Sequence, residues 1–262
     1  MRIFTFKNLR ILILMVVLAA VAVYSKDQRL VTQGWYKPLE IVIFPINADS
    51  STIVDEYIDT LTTKSFNNID TFIKRESKKY EDVVSSTPTI TTLGKSIAIL
   101  PPKPPAQDAN PLKIAFWSLQ LRWWAMQNTP DTHSNKHRVR IFVLYHEERY
   151  KQKLEHSLGI QKGLLGIVHA FASSKQAKQN NIVIAHELLH TVGASDKYDA
   201  LGNPIAIDGL GEPNRNPLYP QKHAEIMAGS VALSETQSEM AHSLKNCVIG
   251  KKTANEIGWI KN

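Results

Sequence analysis

A single cysteine, Cys247, stands in this chain of 262 residues, so it can form neither an internal disulfide nor a thiolate metal cage. Zinc ribbons and dithiol redox pairs are excluded together, and the apolar neighbours Leu244, Val248 and Ile249 make Cys247 a small buried hydrophobe. No internal repeat is present, which removes solenoids and propellers. Acidic residues are in deficit, 24 Asp and Glu against 31 Lys and Arg, for a net charge of +7. The excess is scattered over Lys74, Arg75, Lys78 and Lys79, over Lys136, His137, Arg138 and Arg140, and over Lys251 and Lys252. No nucleic-acid-binding motif accompanies it, so nucleic acid is not an expected partner. A hydrophobic content of 43% with 21% charged residues is that of an ordinary folded domain, long enough to bury its own core.

The longest apolar run is Ile11 to Tyr24, fourteen residues behind Arg2, Lys7 and Arg10. It reads as a membrane-targeting element whose basic flank stays in the cytoplasm, sending everything after Lys26 to the other side. Ala20-Val21-Ala22 fits a leader cleavage site, whereas Val23 and Tyr24 extend the apolar run past it and favour an uncleaved anchor. Both readings export the domain. The expected division is a leader or anchor over residues 1–26 and one domain over 27–262. That domain is expected on the periplasmic or extracellular side, membrane-tethered, or secreted if the leader is removed.

Downstream, Leu39 to Pro45 reads as a buried strand. A helix follows from a Thr52/Asp55 capping box, with Ile53, Val54, Tyr57, Ile58 and Leu61 at helical spacing and Ile69, Phe72 and Ile73 continuing it toward Lys79. Ile97 to Leu100 is a second short apolar run, and Pro101 to Pro105 an extended, exposed connection. Residues 112 to 127 form a Trp-rich helix whose large side chains are expected to cover a sheet face. Arg138 to Tyr145 alternates as a strand, with Val139, Ile141 and Val143 on one face, and Leu164 to Phe171 reads as another. Gly- and Pro-rich residues 199 to 220 form a long loop of a functional kind. A helix is expected toward the C-terminus, capped by Ser234 and Gln237, with Ala241, Leu244 and Val248 as its apolar stripe. The order implies an α/β or α+β sheet packed on helices.

The chemistry is concentrated in Asn181 to Asp199. His186 and His190 are four apart, so on a helix both imidazoles share one face and can grip one ion. Glu187, beside the first histidine, can reach a water on that ion and take its proton. Ile182, Val183, Ile184, Leu188, Leu189 and Val192 make the segment strongly apolar, so its three polar residues are costly insertions with a purpose. A catalytic zinc needs a third protein ligand and an open position. Gly193 tolerates the left-handed backbone that ends a helix and turns the chain back, which brings Asp196 toward the histidines. Glu225 and Asp199 are rivals for that place, while His169 and His223 read as supporting or unrelated residues.

His186, Glu187, His190, Gly193 and Asp196 together form H-E-x-x-H-x-x-G-x-x-D, which resembles the metzincin signature with aspartate in place of the third histidine. With Tyr198 two residues later and Glu225-Ile226-Met227-Ala228-Gly229 downstream, the stretch is similar to the snapalysin family of small secreted zinc peptidases. The resemblance covers a minority of the chain. The spacer before Met227 is longer than snapalysin suggests, and the N-terminal segment and Trp-rich helix are additions. It implies a twisted mixed sheet packed on helices, an active-site helix, and a Met-turn at Met227 that packs beneath the metal without ligating it. It implies zinc held by His186, His190 and Asp196, with Glu187 as general base. Tyr198 is either a hydrogen-bond donor to the oxyanion or a tyrosine packing the turn.

The expected activity is zinc-dependent endopeptidase action on protein or peptide substrates, with the Leu164 to Phe171 strand as an edge for the substrate to pair with. The alternatives are a tethered scaffold that keeps the zinc fold without hydrolysis, and a zinc amidase acting on cell-wall crosslinks.

Overall fold

The structure, a computed structural model, describes residues 6–80, 85–106, 108–129, 137–149, 154–161 and 163–260; Arg2 and Lys136 lie outside them. In chain order the elements are α1 (Phe6–Gly34), β1 (Leu39–Asn47), α2 (Thr52–Asp59), α3 (Asn67–Ser77), β2 (Thr89–Leu93), α4 (Pro111–Asn128), β3 (Val139–His146), β4 (Leu158–Ile160), β5 (Leu165–Phe171) and α5 (Ala177–Thr191). The short elements β6 (Ala224–Glu225), β7 (Ser230–Ala232), β8 (Ser238–Met240), β9 (Cys247–Val248) and α6 (Lys251–Glu256) follow.

The central sheet has the order β2-β1-β3-β5-β4 and is parallel except for the edge strand β4, which runs against β5. Successive residues of a strand face opposite ways, and the sequence uses both faces. Ile41, Ile43, Val139, Ile141, Val143, Tyr145, Val168 and Ala170 face a larger core shared with α2, α3, α5 and the C-terminal segment. Phe44, Ile46, Phe142, Leu144, Leu165 and Ile167 face a smaller one under α4. The molecule is therefore a mixed α/β fold with a mostly parallel sheet flanked by helices.

Several expectations are corrected. The helix after β1 starts at Ser51 with no side-chain cap and breaks after Asp59; the capping box belongs to Thr62 and Ser65, which open a short 3-10 turn before α3. The second strand is Thr89–Leu93, not Ile97 to Leu100. Its alternate threonines lack an apolar signature because Asp70 accepts from both the Thr89 and Thr91 hydroxyls and from the Thr91 N–H. Pro101 is buried rather than exposed.

The Trp-rich helix is apolar on two sides. Leu121 and Ala125 are buried, and Trp124 meets Phe142 edge-on at 4.8 Å, whereas Leu112, Phe116, Leu119, Trp123 and Met126 form an exposed stripe. Where a helix capped by Ser234 and Gln237 is expected, β7 and β8 form an antiparallel hairpin in which Ser234 N–H donates to the Gln237 carbonyl across the turn, and the C-terminal helix is α6, further along the chain. Cys247 is buried and free, and burial pushes its thiol up to about 12.

Helix α1 runs unbroken across residues 26 and 27, and its C-terminal end is fastened to the domain. Trp35 is buried edge-to-face on Trp259, and its Nε1 donates to the Ile257 carbonyl at 2.7 Å. Ile11 to Leu18 of the same helix are exposed. Among the described residues, no helix is long and apolar enough to cross a membrane.

Candidate metal centre

Helix α5 packs its apolar residues Ile182, Ile184, Ala185, Leu188 and Leu189 into the larger core, which leaves His186 and His190 facing the cleft. The helix ends as the glycine signal requires. Gly193 adopts φ +110°, its N–H donates to the His190 carbonyl, and the Ala194 N–H reaches back to the Leu189 carbonyl. That pair of bonds is a Schellman motif, and it reverses the chain within one turn.

The reversal brings Asp196 to the histidines. Its Oδ1 lies 3.1 Å from both His186 Nε2 and His190 Nε2, and the two Nε2 atoms are 3.0 Å apart. The imidazole planes cross at 81°, so the two nitrogens converge. Each Nδ1 has its own carbonyl partner, Ile226 for His186 at 3.0 Å and Ala194 for His190 at 2.8 Å. With Nδ1–H donating to a carbonyl, each Nε2 presents a lone pair, and two lone pairs and a carboxylate facing one another repel unless a cation lies among them. A triangle with these sides leaves a point about 2 Å from all three atoms and about 1 Å out of their plane, which matches zinc–nitrogen and zinc–oxygen bond lengths. Asp196 is the most open of the three, its side chain 43% exposed, so one side of the site faces solvent.

Glu187 completes the group. It is 5% exposed, and its Oε2 is buried without a hydrogen-bond partner among the described residues. An orphaned carboxylate oxygen beside two metal-type histidines suits a water molecule on an ion. Burial raises its affinity for protons, against the opposing pull of His186 and His190. Burial also pushes Asp196 up, but the two imidazoles beside it outweigh this and hold its carboxyl well below the usual range. Among the described residues, the ligand atoms of His186, Glu187 and His190 lie close enough together to hold one metal ion, and Asp196 Oδ1 lies 3.1 Å from both histidines.

The rivals for third ligand are engaged elsewhere. Glu225 is fully buried and accepts from the Met227 and Gly250 N–H groups, fastening the 225–229 turn. Asp199 accepts from the Leu201 and Asn203 N–H groups and orders the start of the long loop. His223 faces Glu212 on that loop. The buried Met227 turn touches the site through its backbone, since the Ile226 carbonyl orients His186 and the Met227 carbonyl accepts from Lys197 N–H. Tyr198 lies with its ring 6.4 Å from that of His186. Burial, followed by the charge of Asp196 and a hydrogen bond to it, pushes its hydroxyl up to about 12, so it stays a protonated donor.

The strand over the helix differs from expectation. Beyond β4, the edge of β5 is closed: Ser157 Oγ accepts from His169 N–H, and the Asn180 side-chain amide binds the Phe171 carbonyl as its oxygen accepts from Phe171 N–H. β4 is the outer strand, and it lies so close to α5 that a Cβ on Gly159 would strike His190 Cβ and the Glu187 carbonyl. Two features were missed in the sequence, β4, too short for a periodic signal, and Gly159; His169, read there as a supporting or unrelated residue, lines a cleft of about 330 Å³ with His186, Glu187 and Tyr198.

No family model fits the chain, and no curated protein aligns with it significantly.

Proposed function

We propose that the protein is a zinc-dependent metallopeptidase of the metzincin type, acting outside the cytoplasm. The observation that carries this is the convergence of His186 Nε2, His190 Nε2 and Asp196 Oδ1 at 3.0–3.1 Å beside the unpartnered, buried Glu187 Oε2. His186, His190 and Asp196 would hold the ion, leaving an open side toward the cleft. Zinc bound there supplies Lewis acidity, which acidifies water and polarises a carbonyl. Glu187 takes the proton of the attacking water and delivers it to the leaving amide nitrogen, a task suited to a carboxylate whose proton affinity burial has raised. Tyr198, 39% exposed at the cleft, donates to the developing oxyanion. An extended peptide pairs with the outer edge of β4, three residues that lie against α5.

Membrane association through the N-terminal segment fits the exposed apolar run of α1, and the exposed stripe of α4 adds a second apolar surface. The activity is tested by incubating zinc-loaded wild type and Glu187→Gln with casein and with purified peptidoglycan. Casein cleavage that disappears in Glu187→Gln while zinc remains bound supports the reading; hydrolysis retained in that variant, or release of peptidoglycan crosslinks alone, contradicts it.

A further inference from the structure

Helix α4 is apolar on two opposite sides, and the sheet takes only one of them. Leu121 and Ala125 are buried in the smaller core, whereas Leu112, Phe116, Leu119, Trp123 and Met126, spaced three and four apart, run the length of the helix on its outer side. Leu112 is 81% exposed and the other four 55–63%. At about 3.6 residues per turn, Lys113 falls on one flank of this stripe and Arg122 on the other. No acidic residue stands between Asp108 and Asp131. The Pro-rich stretch before the helix adds the exposed Lys103, and Leu100, Pro102, Leu119, Trp123 and Trp124 line an open depression of about 670 Å³ beside the stripe.

We propose that α4 lies flat in the headgroup layer of an anionic lipid bilayer, with its outer stripe among the acyl chains and Lys103, Lys113 and Arg122 at the phosphates. This extends the membrane association read from α1 above and is independent of the zinc chemistry. A helix apolar all round has two apolar environments, and here the sheet is one of them. Long basic side chains on the flanks reach the headgroups while the stripe stays buried, and Trp123 suits the boundary because its ring is apolar and its N–H polar. A second copy is the poorer partner: two α4 helices joined through this stripe would set four cations along one interface, with no carboxylate on either helix to answer them. A single shallow apolar contact holds a membrane only reversibly, so α1 and α4 together anchor better than either alone. Both meet the domain at the start of β3, where Asp27 of α1 lies 3.5 Å from His137 and Thr129, just past α4, accepts from Arg140. The helix covers the opposite face of the sheet from α5, so a bilayer against it leaves the metal cleft open to water.

The test uses full-length protein with vesicles of phosphatidylcholine and phosphatidylglycerol whose acyl chains carry bromine, a quencher of tryptophan emission. Helix α1 contains no tryptophan, and Trp35 and Trp259 are buried, so quenching reports on α4. Wild-type emission is quenched, and most of that quenching is lost in Trp123→Phe, which keeps an aromatic ring. It is also lost when Phe116→Glu and Leu119→Glu are combined, while flotation still finds the protein on the vesicles through α1. Both of those side chains are exposed, so the melting temperature is unchanged. Lys113→Gln lowers quenching on these vesicles and has no effect on brominated phosphatidylcholine alone. Wild-type protein that floats with the vesicles without quenching, or quenching that persists in the double variant, overturns the assignment and leaves the membrane reading of α1 standing. Protein that does not float overturns both. A dimer in sedimentation that the double variant disperses, with no quenching of the wild type, gives the stripe to a second copy and overturns the lipid assignment.

Discussion

Lys197 is 1% exposed, and its Nζ sits 2.9 Å from Glu256 Oε2. The ammonium also donates to the carbonyl and the hydroxyl of Ser195, whose own N–H and hydroxyl donate to Glu256. A buried cation and a carboxylate from α6 thus clamp the residues on either side of Asp196, the proposed third ligand.

Glu256→Gln strands the Lys197 charge in the interior, where an unpaired buried charge costs about 3 to 5 kcal/mol. It also loosens Asp196, and zinc affinity falls about 10- to 100-fold, as for other residues that orient a metal ligand. Competition with a chromogenic chelator measures the second effect. The Glu256 carboxyl is depressed: burial pushes it up, but its bonds to Lys197 and Ser195 outweigh this. A folded value below the unfolded one stabilises the protein above the ordinary 4.5, and that contribution disappears as pH falls through the lower, folded value. The gap between wild-type and Glu256→Gln melting temperatures therefore narrows below about pH 4.5 in metal-free protein.

Gly159→Ala drives a methyl group into the backbone of Glu187 and against His190. Overpacking of this kind costs about 1 to 3 kcal/mol, and the displaced β4 lowers casein turnover. Denaturant unfolding and kinetics on the same preparation check both effects.

Gln33 ties α1 to the metal helix, its Nε2 donating to the carbonyls of Val192 at 2.7 Å and Glu256 at 3.0 Å. A Cβ on Gly193 would come within 2.6 Å of that nitrogen, at a backbone φ of +110°. Gly193→Ala is accordingly more damaging than an ordinary helix-terminal change. Zinc affinity falls in Gly193→Ala and, to a smaller extent, in Gln33→Ala, both measurable by chelator competition. Wild-type affinity in Gly193→Ala would show that the turn does not position Asp196.

Tyr198→Phe removes the donor at the cleft, and with it the hydrogen bond to Asp196, while keeping the ring. Turnover falls about 100-fold, the scale of one lost oxyanion donor, with zinc content unchanged. Unchanged turnover would leave Tyr198 as a packing residue of the turn.

Much of this site was legible because its signals are local. The i, i+4 histidines, the adjacent glutamate and the glycine that ends α5 are set by helix geometry, and Asp196 follows from the chain reversal at Gly193. β1, β3 and β5 were legible through their apolar runs. What was not legible depends on partners far away in sequence. β2 is a run of threonines satisfied by Asp70, and the segment read as a C-terminal helix closes a hairpin instead. The aromatics of α4 divide between core and surface in a way that composition does not encode. His169 gains its partners His146 and Asp49 only when β1, β3 and β5 align.

The most direct test of the central claim is the zinc content, by elemental analysis, of untagged full-length protein beside Asp196→Ala and Glu225→Gln. The account predicts near-stoichiometric zinc in the wild type and in Glu225→Gln, where only a buried turn is altered, and loss of the metal in Asp196→Ala. Folded wild-type protein that takes up no zinc when resupplied, or Asp196→Ala that keeps it, would contradict the account.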